Sequence, residues 1–343
     1  MNEKPDLCSS VFIRGELLPA GFRKALLRWY EAQKRDLPWR RNNHFYPVWI
    51  SEIMLQQTRV EAVTPYFLRF MELFPNVEAL AAAEESRVLA AWSGLGYYSR
   101  ARNLHRSAKT IAAAGEPRDF YSIRALAGVG DYTAAAIASI ALGEARAAVD
   151  GNVMRVISRL TNDAADIKAG ETRRRFADEA AQLLDRRRPG DFNQAMMELG
   201  ATVCTPKTPD CGRCPVARFC GAHAAGTAAQ LPVKLGGKAA REARLDVAVL
   251  AREGRVFLIE RASNERRLAG FRELPGKKDV PGTRFRAAGE FTHQIVNDRF
   301  RVRVWIAGRA AQVPAGEWIA ATDLCGLPVT TIAKKALRLA GIL

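Results

Sequence analysis

Four of the six cysteines in this 343-residue chain fall within one 17-residue stretch, in the pattern Cys204-x6-Cys211-x2-Cys214-x5-Cys220. One short loop therefore supplies four thiols that, once deprotonated, can enclose a metal centre. Structural zinc sites usually pair cysteines two to four residues apart at each end, and the six-residue first gap fits that pattern poorly. The spacing by itself leaves zinc and an iron-sulfur cluster about equally open.

The other two cysteines, Cys8 and Cys325, stand alone in the sequence and are expected to be ordinary thiols. Residues 1 to 10 are polar and charged, which is not typical of a secretion signal, and no stretch approaches the roughly 18 apolar residues of a membrane span. Cytosolic thiols are kept reduced. We therefore expect a cytoplasmic protein without a disulfide framework and without a membrane segment.

The chain carries a formal charge of +16, from 52 Lys and Arg against 36 Asp and Glu. The excess is spread along the chain: residues 242 to 343 hold 18 basic and 11 acidic side chains, which leaves 34 and 25 for the first 241 residues. Such a surface attracts nucleic acid or anionic lipid, and charge alone does not choose between them.

The first two thirds of the chain predict helices. Apolar residues recur at three- and four-residue spacing in segments such as 48 to 70 and 133 to 142, and Pro and Gly punctuate them. About ten short helices are expected, so we predict an all-α domain over residues 1 to 220, including the cysteine loop.

Residues 221 to 241 are small and basic, without a periodic apolar face, and predict an exposed linker. Residues 242 to 343 then predict a small α+β domain. Its expected elements are two hairpins, with turns at Glu253-Gly254 and Asn297-Asp298, and a closing helix over residues 331 to 340.

A glycine-rich turn, LAGVGDYTA at residues 126 to 134, precedes an Ala-rich helix. Gly128 and Gly130 let backbone approach closely, and amides at the positive end of a helix suit a phosphate oxygen. An ordinary turn between helices is the commoner meaning of such a pair of glycines, and the sequence by itself favours it.

Two acids stand out as candidates for proton transfer and for stabilising a positive charge. Glu52 lies in WISEIMLQQT, where Gln56 and Arg59 share its helix face, so a solvated polar stripe is the simpler interpretation. Asp150 begins DGNV ahead of a helix, where an N-cap is the simpler interpretation.

These strings together resemble the endonuclease III and MutY-type adenine glycosylases. The cysteine spacing after FNQAMMELGATVC, residues 192 to 204, resembles their 4Fe-4S loop, and LAGVGDYTA resembles their helix-hairpin-helix, with Ala127 in place of the usual proline. WISEIMLQQT and VDGNV are similar to the MutY motifs. The resemblance implies a 4Fe-4S cluster on the four cysteines and excision of a base from duplex DNA.

By the same resemblance, Glu52 protonates adenine and Asp150 stabilises the oxocarbenium ion, while Tyr132 and Asn152 hold the acids and the sugar. Tyr132 occupies the position at which bifunctional members carry their Schiff-base lysine. Since a phenol cannot form that imine, the resemblance implies a monofunctional glycosylase.

The resemblance also implies a set of DNA-binding residues, because the target nucleotide must leave the base stack to react. The string RDLPWR resembles the motif that shapes the adenine pocket, whereas a core tryptophan with surface arginines is the simpler interpretation. Tyr98 is expected to be buried packing. The implied contacts are Arg35, Leu37, Trp39, Arg40 and Gln56 at the pocket, Gln57 and Tyr97 as residues inserted into the duplex, Gly128 and Gly130 at a phosphate, and Lys207, Arg213 and Arg218 beside the cluster.

Residues 242 to 343 resemble, more loosely, the Nudix-like domain with which MutY proteins inspect an opposite 8-oxoguanine. FRELPGK at 271 to 277 and Phe291-Thr292-His293 carry the resemblance, with Thr292 where the family usually has serine. A glutamate-rich magnesium helix does not follow Pro275-Gly276, so nucleotide hydrolysis is not expected. Thr292 and His293 are the implied contacts to the opposite base.

The resemblance therefore implies a monomeric base excision repair enzyme that removes adenine opposite 8-oxoguanine, or opposite guanine, in double-stranded DNA. Two alternatives remain open. One is an endonuclease III-like glycosylase and lyase for damaged pyrimidines, which Tyr132 and the extra domain disfavour. The other is a non-catalytic iron-sulfur protein that only binds DNA.

Overall fold

The structure is a computed structural model that describes residues 17 to 236, 241 to 262, 268 to 295, 298 to 308 and 312 to 343. The chain divides into two compact units. The first comprises residues 1 to 57 and 113 to 236, and the second comprises residues 58 to 112 and 237 to 343. Each unit is thus built from two separate stretches of sequence. Cys8 lies outside the described residues.

The first unit is helical. Its core is formed by residues such as Leu26, Ile157, Phe176, Phe192 and Leu199, all almost fully buried. Its helices are α1 (Leu17–Gln33), α2 (Phe45–Leu55), α7 (Phe120–Arg124), α8 (Asp131–Ala141), α9 (Gly151–Leu160), α10 (Gly170–Leu183), α11 (Pro189–Thr202) and α12 (Gly221–Ala224), with a 3-10 turn at Pro38–Arg40.

The second unit combines helices with two small sheets. In one sheet β1 pairs in parallel with β6, and β6 pairs antiparallel with β5; the other has the order β2-β3-β4, with β7 beside β3. The elements are α3 (Val60–Leu73), α4 (Val77–Ala82), α5 (Glu85–Trp92), α6 (Ser99–Ala114), β1 (Arg241–Val249), β2 (Ala251–Arg252), β3 (Arg255–Glu260), β4 (Arg272–Glu273), β5 (Phe285–Ile295), β6 (Asp298–Ala307), β7 (Glu317–Ala320) and α13 (Thr331–Leu339).

The predicted fold class, an all-α part followed by an α+β part, is confirmed. Both hairpins form: β2 and β3 flank Glu253-Gly254, whose two residues have positive φ, and β5 pairs with β6. Asp298 was predicted as a turn residue and is instead the first residue of β6, opposite Ile295; Asn297 lies outside the described residues. None of the helices in the described part of the chain has the length and apolar character to traverse a bilayer.

The stretch predicted as an exposed linker, residues 221 to 241, contains local structure in its first half. Gly221–Ala224 is a helical turn, and Ala222 and Leu231 are buried against the cysteine loop. These apolar contacts leave no helical periodicity in the sequence, because the residues pack on the cysteine loop rather than along one helix face.

Candidate active site and cysteine loop

Glu52 lies on α2, where nine of eleven residues are buried, and its own exposure is 7%. The helix ends at Leu55 and Arg59 is already the N-cap of α3, so the solvated polar stripe does not exist. Burial raises the pKa of Glu52 to about 7; the nearby Asp150 charge raises it further, whereas a hydrogen bond from Tyr132 lowers it. Near neutral pH this carboxyl can hold a proton.

Tyr132, the second residue of α8, donates its phenol proton to Glu52 Oε2 across 3.2 Å, and the same phenol oxygen lies 3.2 Å from Met197 Sδ. Burial and the Glu52 charge hold the pKa of Tyr132 well above its ordinary value. The phenol therefore stays neutral and remains a donor. Beside it, Gln56 Nε2 donates to Thr133 Oγ1 at 3.1 Å, which ties the end of α2 to α8.

Asp150 is the N-cap of α9, as the simpler interpretation predicted, and its Oδ1 accepts from the Val153 amide at 2.7 Å. Its other oxygen accepts from Asn152 Nδ2 at 2.8 Å. Burial raises the pKa of Asp150, and these hydrogen bonds oppose the rise. Since its charge acts on both Glu52 and Tyr132, the cap also belongs to the acid pocket, by which we mean Glu52, Tyr132, Asp150 and Asn152.

Asn152 is held in turn by Arg155, whose Nη2 donates to Asn152 Oδ1 and to the Gly200 carbonyl, both at 2.8 Å. Arg155 Nε donates to the Cys204 carbonyl at 2.8 Å. One guanidinium therefore connects the Asp150 end of the acid pocket to the backbone of the cysteine loop. No sequence motif indicates this role of Arg155.

Arg35 and Arg40 both bind the carboxylate of Glu198, which no sequence motif indicates. Glu198, 1% exposed, accepts from Arg35 Nε at 2.7 Å and from Arg40 Nη2 at 2.9 Å. Burial raises its pKa, but the two arginines outweigh burial and bring it down to about 2. Glu198 lies 163 positions from Arg35 and 158 positions from Arg40 in the sequence, so no local pattern indicates these two ion pairs. Leu37 and Trp39 are buried, as a core interpretation of RDLPWR predicts.

The glycine turn places Gly128 at φ +77° and leaves Gly130 as the N-cap of the 11-residue α8. Both are exposed, and a Cβ added at Gly130 would meet nothing within 4 Å. The amide end of α8 is therefore open to solvent, and Tyr132 of the acid pocket lies two residues beyond it.

The two residues predicted to enter the duplex share an unusual backbone. Gln57 has φ +57° and Tyr97 has φ +49°, the left-handed region that costs a residue with a side chain about 1 kcal/mol or more. Both are exposed, Tyr97 to 41%, whereas Tyr98 is buried as predicted. A strained backbone conformation at an exposed residue is typical of functional positions.

The four cysteines are free thiols and line one cavity together with Arg159 and His223. Arg159, 1% exposed, places Nη1 3.2 Å from Cys204 Sγ and donates to the Thr205 carbonyl at 2.8 Å. No group of three or more His, Cys, Asp or Glu side chains in the described ranges is arranged to hold a metal ion. The four cysteines instead contribute jointly to the lining of this cavity.

Burial raises the pKa of Cys214 to about 12 and raises those of Cys211 and Cys220 as well. Four partly buried thiolates need compensating positive charge, which iron and Arg159 can supply. The donor set therefore fits an iron-sulfur cluster. Lys207, Arg213 and Arg218 are exposed on this loop.

Thr292 and His293 do not share a face. Thr292 pairs with Arg301 and His293 with Phe300 across β5 and β6, and successive side chains of a strand point to opposite sides. Thr292 is exposed, whereas His293 is half-buried, and burial together with Lys335 lowers its pKa. The two side chains therefore lie on opposite sides of the strand.

Comparison with known proteins defines the class. Residues 50 to 182 match the family model of the HhH-GPD superfamily of base excision DNA repair proteins, and residues 204 to 220 match the iron-sulfur binding domain of endonuclease III. The helical part of the chain thus contains an HhH-GPD domain, and the cysteine loop that follows it is an iron-sulfur binding domain. A thermostable thymine-DNA glycosylase has the same fold at TM-score 0.55 and 26% identity, covering 61% of this chain and 97% of its own.

Several curated proteins with similar sequences are adenine DNA glycosylases. The rat protein is 47% identical over 214 residues, 59% of this chain and 42% of its own length, and the human protein is 47% identical with 39% of its length covered. The Mycolicibacterium smegmatis protein is 44% identical over 197 residues, with 66% of its length covered. The chain spans less than half the length of the two mammalian relatives.

Proposed function

We propose that this protein is a monofunctional adenine DNA glycosylase of base excision repair. It hydrolyses the N-glycosidic bond of adenine paired with 8-oxoguanine or guanine in duplex DNA. The observation that carries the proposal is the acid pocket: a buried glutamate with a pKa of about 7 beside an aspartate, within a helix-hairpin-helix domain. The high identity to adenine DNA glycosylases over 59% of the chain supports adenine as the base.

In this mechanism Glu52 donates its proton to the departing adenine, so that the electrons of the breaking bond go to a neutral base. Asp150 in its ionised form stabilises the cationic sugar, either as an ion pair or as a transient ester that water opens. Tyr132 holds Glu52 through its phenol, and Asn152 holds Asp150. Water finally supplies a hydroxyl to the sugar and a proton that restores the acid.

The product retains an intact backbone. Strand cleavage by an imine route needs an amine nucleophile, and the phenol of Tyr132 cannot form an imine. Tyr132 also has a different task here, since it donates to Glu52. This assignment separates the protein from a glycosylase that is also a lyase.

The duplex is distorted when the protein binds it, because the target adenine must leave the base stack. The amides around Gly128 and Gly130 bind a phosphate, and Gln57 and Tyr97 fill the space that the extruded adenine leaves. Arg35, Leu37, Trp39, Arg40 and Gln56 shape the adenine pocket. The four cysteines would hold the iron-sulfur cluster, which would fix their loop. That loop carries Lys207, Arg213 and Arg218, three exposed cations suited to the DNA backbone. Cysteines that hold a metal cluster rather than form disulfides fit a cytoplasmic location.

Opposite-base recognition falls to the Nudix-like domain. Thr292 presents a hydroxyl on the exposed face of β5, whereas His293 points to the other side. Thr292 is therefore the direct contact to 8-oxoguanine in this proposal, and His293 supports the strand from behind. The enzyme acts as a monomer on one mispair.

Single-turnover adenine release tests the proposal, with enzyme in excess over duplexes that differ only in the base opposite adenine. Release that is fastest opposite 8-oxoguanine, slower opposite guanine and without strand nicks before base treatment is the expected result. Nicking without added base supports the lyase instead. A protein that binds the duplex but releases no adenine from any of them overturns the proposed activity.

A further inference from the structure

The turn that carries Tyr97 is held in an uncommon conformation. It joins α5 to α6, and three of its residues have positive φ: Gly94 at +117°, Gly96 at +72° and Tyr97 at +49°. A Cβ at Gly94 would lie 2.0 Å from the Tyr66 hydroxyl, so the turn is also tightly packed there. Such a turn keeps one shape only if its surroundings determine that shape.

One restraint comes from the start of α6. Arg100 is buried, and its Nη2 donates to the carbonyls of Leu95 and Gly96 at 3.3 and 3.2 Å. Its guanidinium carbon lies 5.5 Å from the centre of the Tyr97 ring. Trp92 Nε1 donates to the Gly96 carbonyl as well, at 3.2 Å. These contacts are local in sequence.

The other restraint comes from the C-terminal stretch of the same compact unit. Lys334 on α13 donates from Nζ to Ser93 Oγ at 2.8 Å, and Ser93 Oγ donates to the Val329 carbonyl at 3.2 Å. The next anchor is Tyr98, whose hydroxyl accepts from the Gly94 amide at 3.2 Å and whose ring centre lies 4.0 Å from that of Phe271.

We propose that the C-terminal region positions the residue that enters the duplex. Lys334 and Phe271 act as positioning residues: they hold Ser93 and Tyr98 on either side of the turn, and the turn then presents Tyr97 in its strained, exposed conformation. The inference rests on the proposed function, in which Tyr97 replaces the extruded adenine in the stack. It gives the C-terminal region a part in base extrusion that is separate from recognition of the opposite base through Thr292.

The distinctive consequence is that Lys334 and Tyr97 act on one step. Lys334→Met keeps the length of the side chain and removes the donor to Ser93. The matched control is Lys335→Met, because the neighbouring lysine lies over the Phe291 ring on β5, 5.7 Å from its centre. Extrusion is followed by the fluorescence of 2-aminopurine placed next to the target adenine, and adenine release is measured on the same duplex.

We expect Lys334→Met to lower both the fluorescence amplitude and single-turnover release about five-fold, as the loss of one coupled contact does. Lys335→Met should leave both unchanged, and Lys334→Arg should restore most of the amplitude. In a Tyr97→Ala background, Lys334→Met should have no further effect. Thermal unfolding and iron content, measured for every variant, show whether each one folds.

Losses from Lys334→Met that are equal in the wild-type and Tyr97→Ala backgrounds overturn the positioning role, since the two residues then act independently. A loss in Lys335→Met as large as that in Lys334→Met overturns it too. If the wild-type protein extrudes the base but releases no adenine, the proposed chemistry fails while the positioning role is still measured by fluorescence.

Discussion

Two buried glutamates in the helical unit illustrate how differently one residue type can be tuned. Glu52 in the acid pocket has a pKa raised to about 7, whereas Glu198, between Arg35 and Arg40, has one lowered to about 2. Both are less than a tenth exposed. Burial raises the pKa of each, and only Glu198 is reached by two guanidinium groups that reverse the effect. The comparison shows that the placement of arginines, rather than burial, decides which carboxyl can donate a proton.

The largest effect is expected for Glu52→Gln, which keeps the size of the side chain and removes the transferable proton. Adenine release should fall on the order of a thousand-fold, because positioned general acids contribute about that much. Binding to the mispaired duplex should stay nearly unchanged. Single-turnover release and an equilibrium binding titration measure the two quantities, and release within ten-fold of wild type would exclude Glu52 as the acid.

Glu198→Gln tests whether the ion pairs of Glu198 with Arg35 and Arg40 stabilise the folded protein. Removing the carboxylate leaves two guanidinium groups without their charge partner, so the variant should lose about 2 kcal/mol of unfolding free energy in urea. The matched control is Asp36→Asn, because Asp36 forms an exposed pair with Arg41. Exposed pairs contribute little, and this variant should unfold like wild type.

The sign of the pH effect on stability follows from the lowered pKa of Glu198. Its contribution is fully present above the ordinary carboxyl value of 4.5 and is lost as pH falls toward about 2. The difference between wild type and Glu198→Gln should therefore shrink in acid. A difference that is constant from pH 7 to pH 3 contradicts the assignment.

The pH profile of adenine release tests, in the wild-type protein, whether the reaction needs the protonated form of Glu52. Because the active form is the protonated acid and its pKa is about 7, release should be nearly constant below pH 6 until Asp150 becomes protonated. Above pH 8 it should fall about ten-fold per unit as the proton is lost. Rates are taken with saturating enzyme, and a flat profile to pH 9 is incompatible with this acid.

Tyr132→Phe should give the smallest of these changes. The hydrogen bond from Tyr132 lowers the pKa of Glu52, so its removal raises that pKa and moves the alkaline limb of the profile to higher pH. The maximal rate should stay within about ten-fold of wild type, since only the positioning of the acid is lost. Movement of the limb to lower pH would show that the phenol acts on Glu52 in another way.

Much of this arrangement could be predicted from the sequence because its signals are local. The four cysteines, the glycine turn and Asp150 each stand out within a few neighbouring residues. In the structure the cysteines line one cavity, the turn leads into α8, and Asp150 is the N-cap of α9. Both hairpins followed from alternating apolar residues around short turns.

Contacts between residues far apart in the chain could not be predicted from local sequence patterns. Glu198 is one acid among 36, and only the fold brings Arg35 and Arg40 to it. The polar stripe through Glu52, Gln56 and Arg59 assumes one continuous helix, but α2 ends at Leu55, Gln56 is its non-helical C-cap, and Gln57 follows in the left-handed region. A local pattern does not reveal such a break, because glutamine rarely adopts that conformation.

The proton on Glu52 can be observed directly by infrared difference spectroscopy of the folded protein between pH 6 and pH 8.5, with Glu52→Gln as the reference. The pKa of Glu179 is also raised to about 7, so the signal of Glu52 is the difference between the wild-type and Glu52→Gln spectra. The account predicts that this difference contains a protonated carboxyl band that disappears with a midpoint near pH 7, and that Glu198→Gln keeps this band. A spectrum in which Glu52 is already ionised at pH 6 would contradict it.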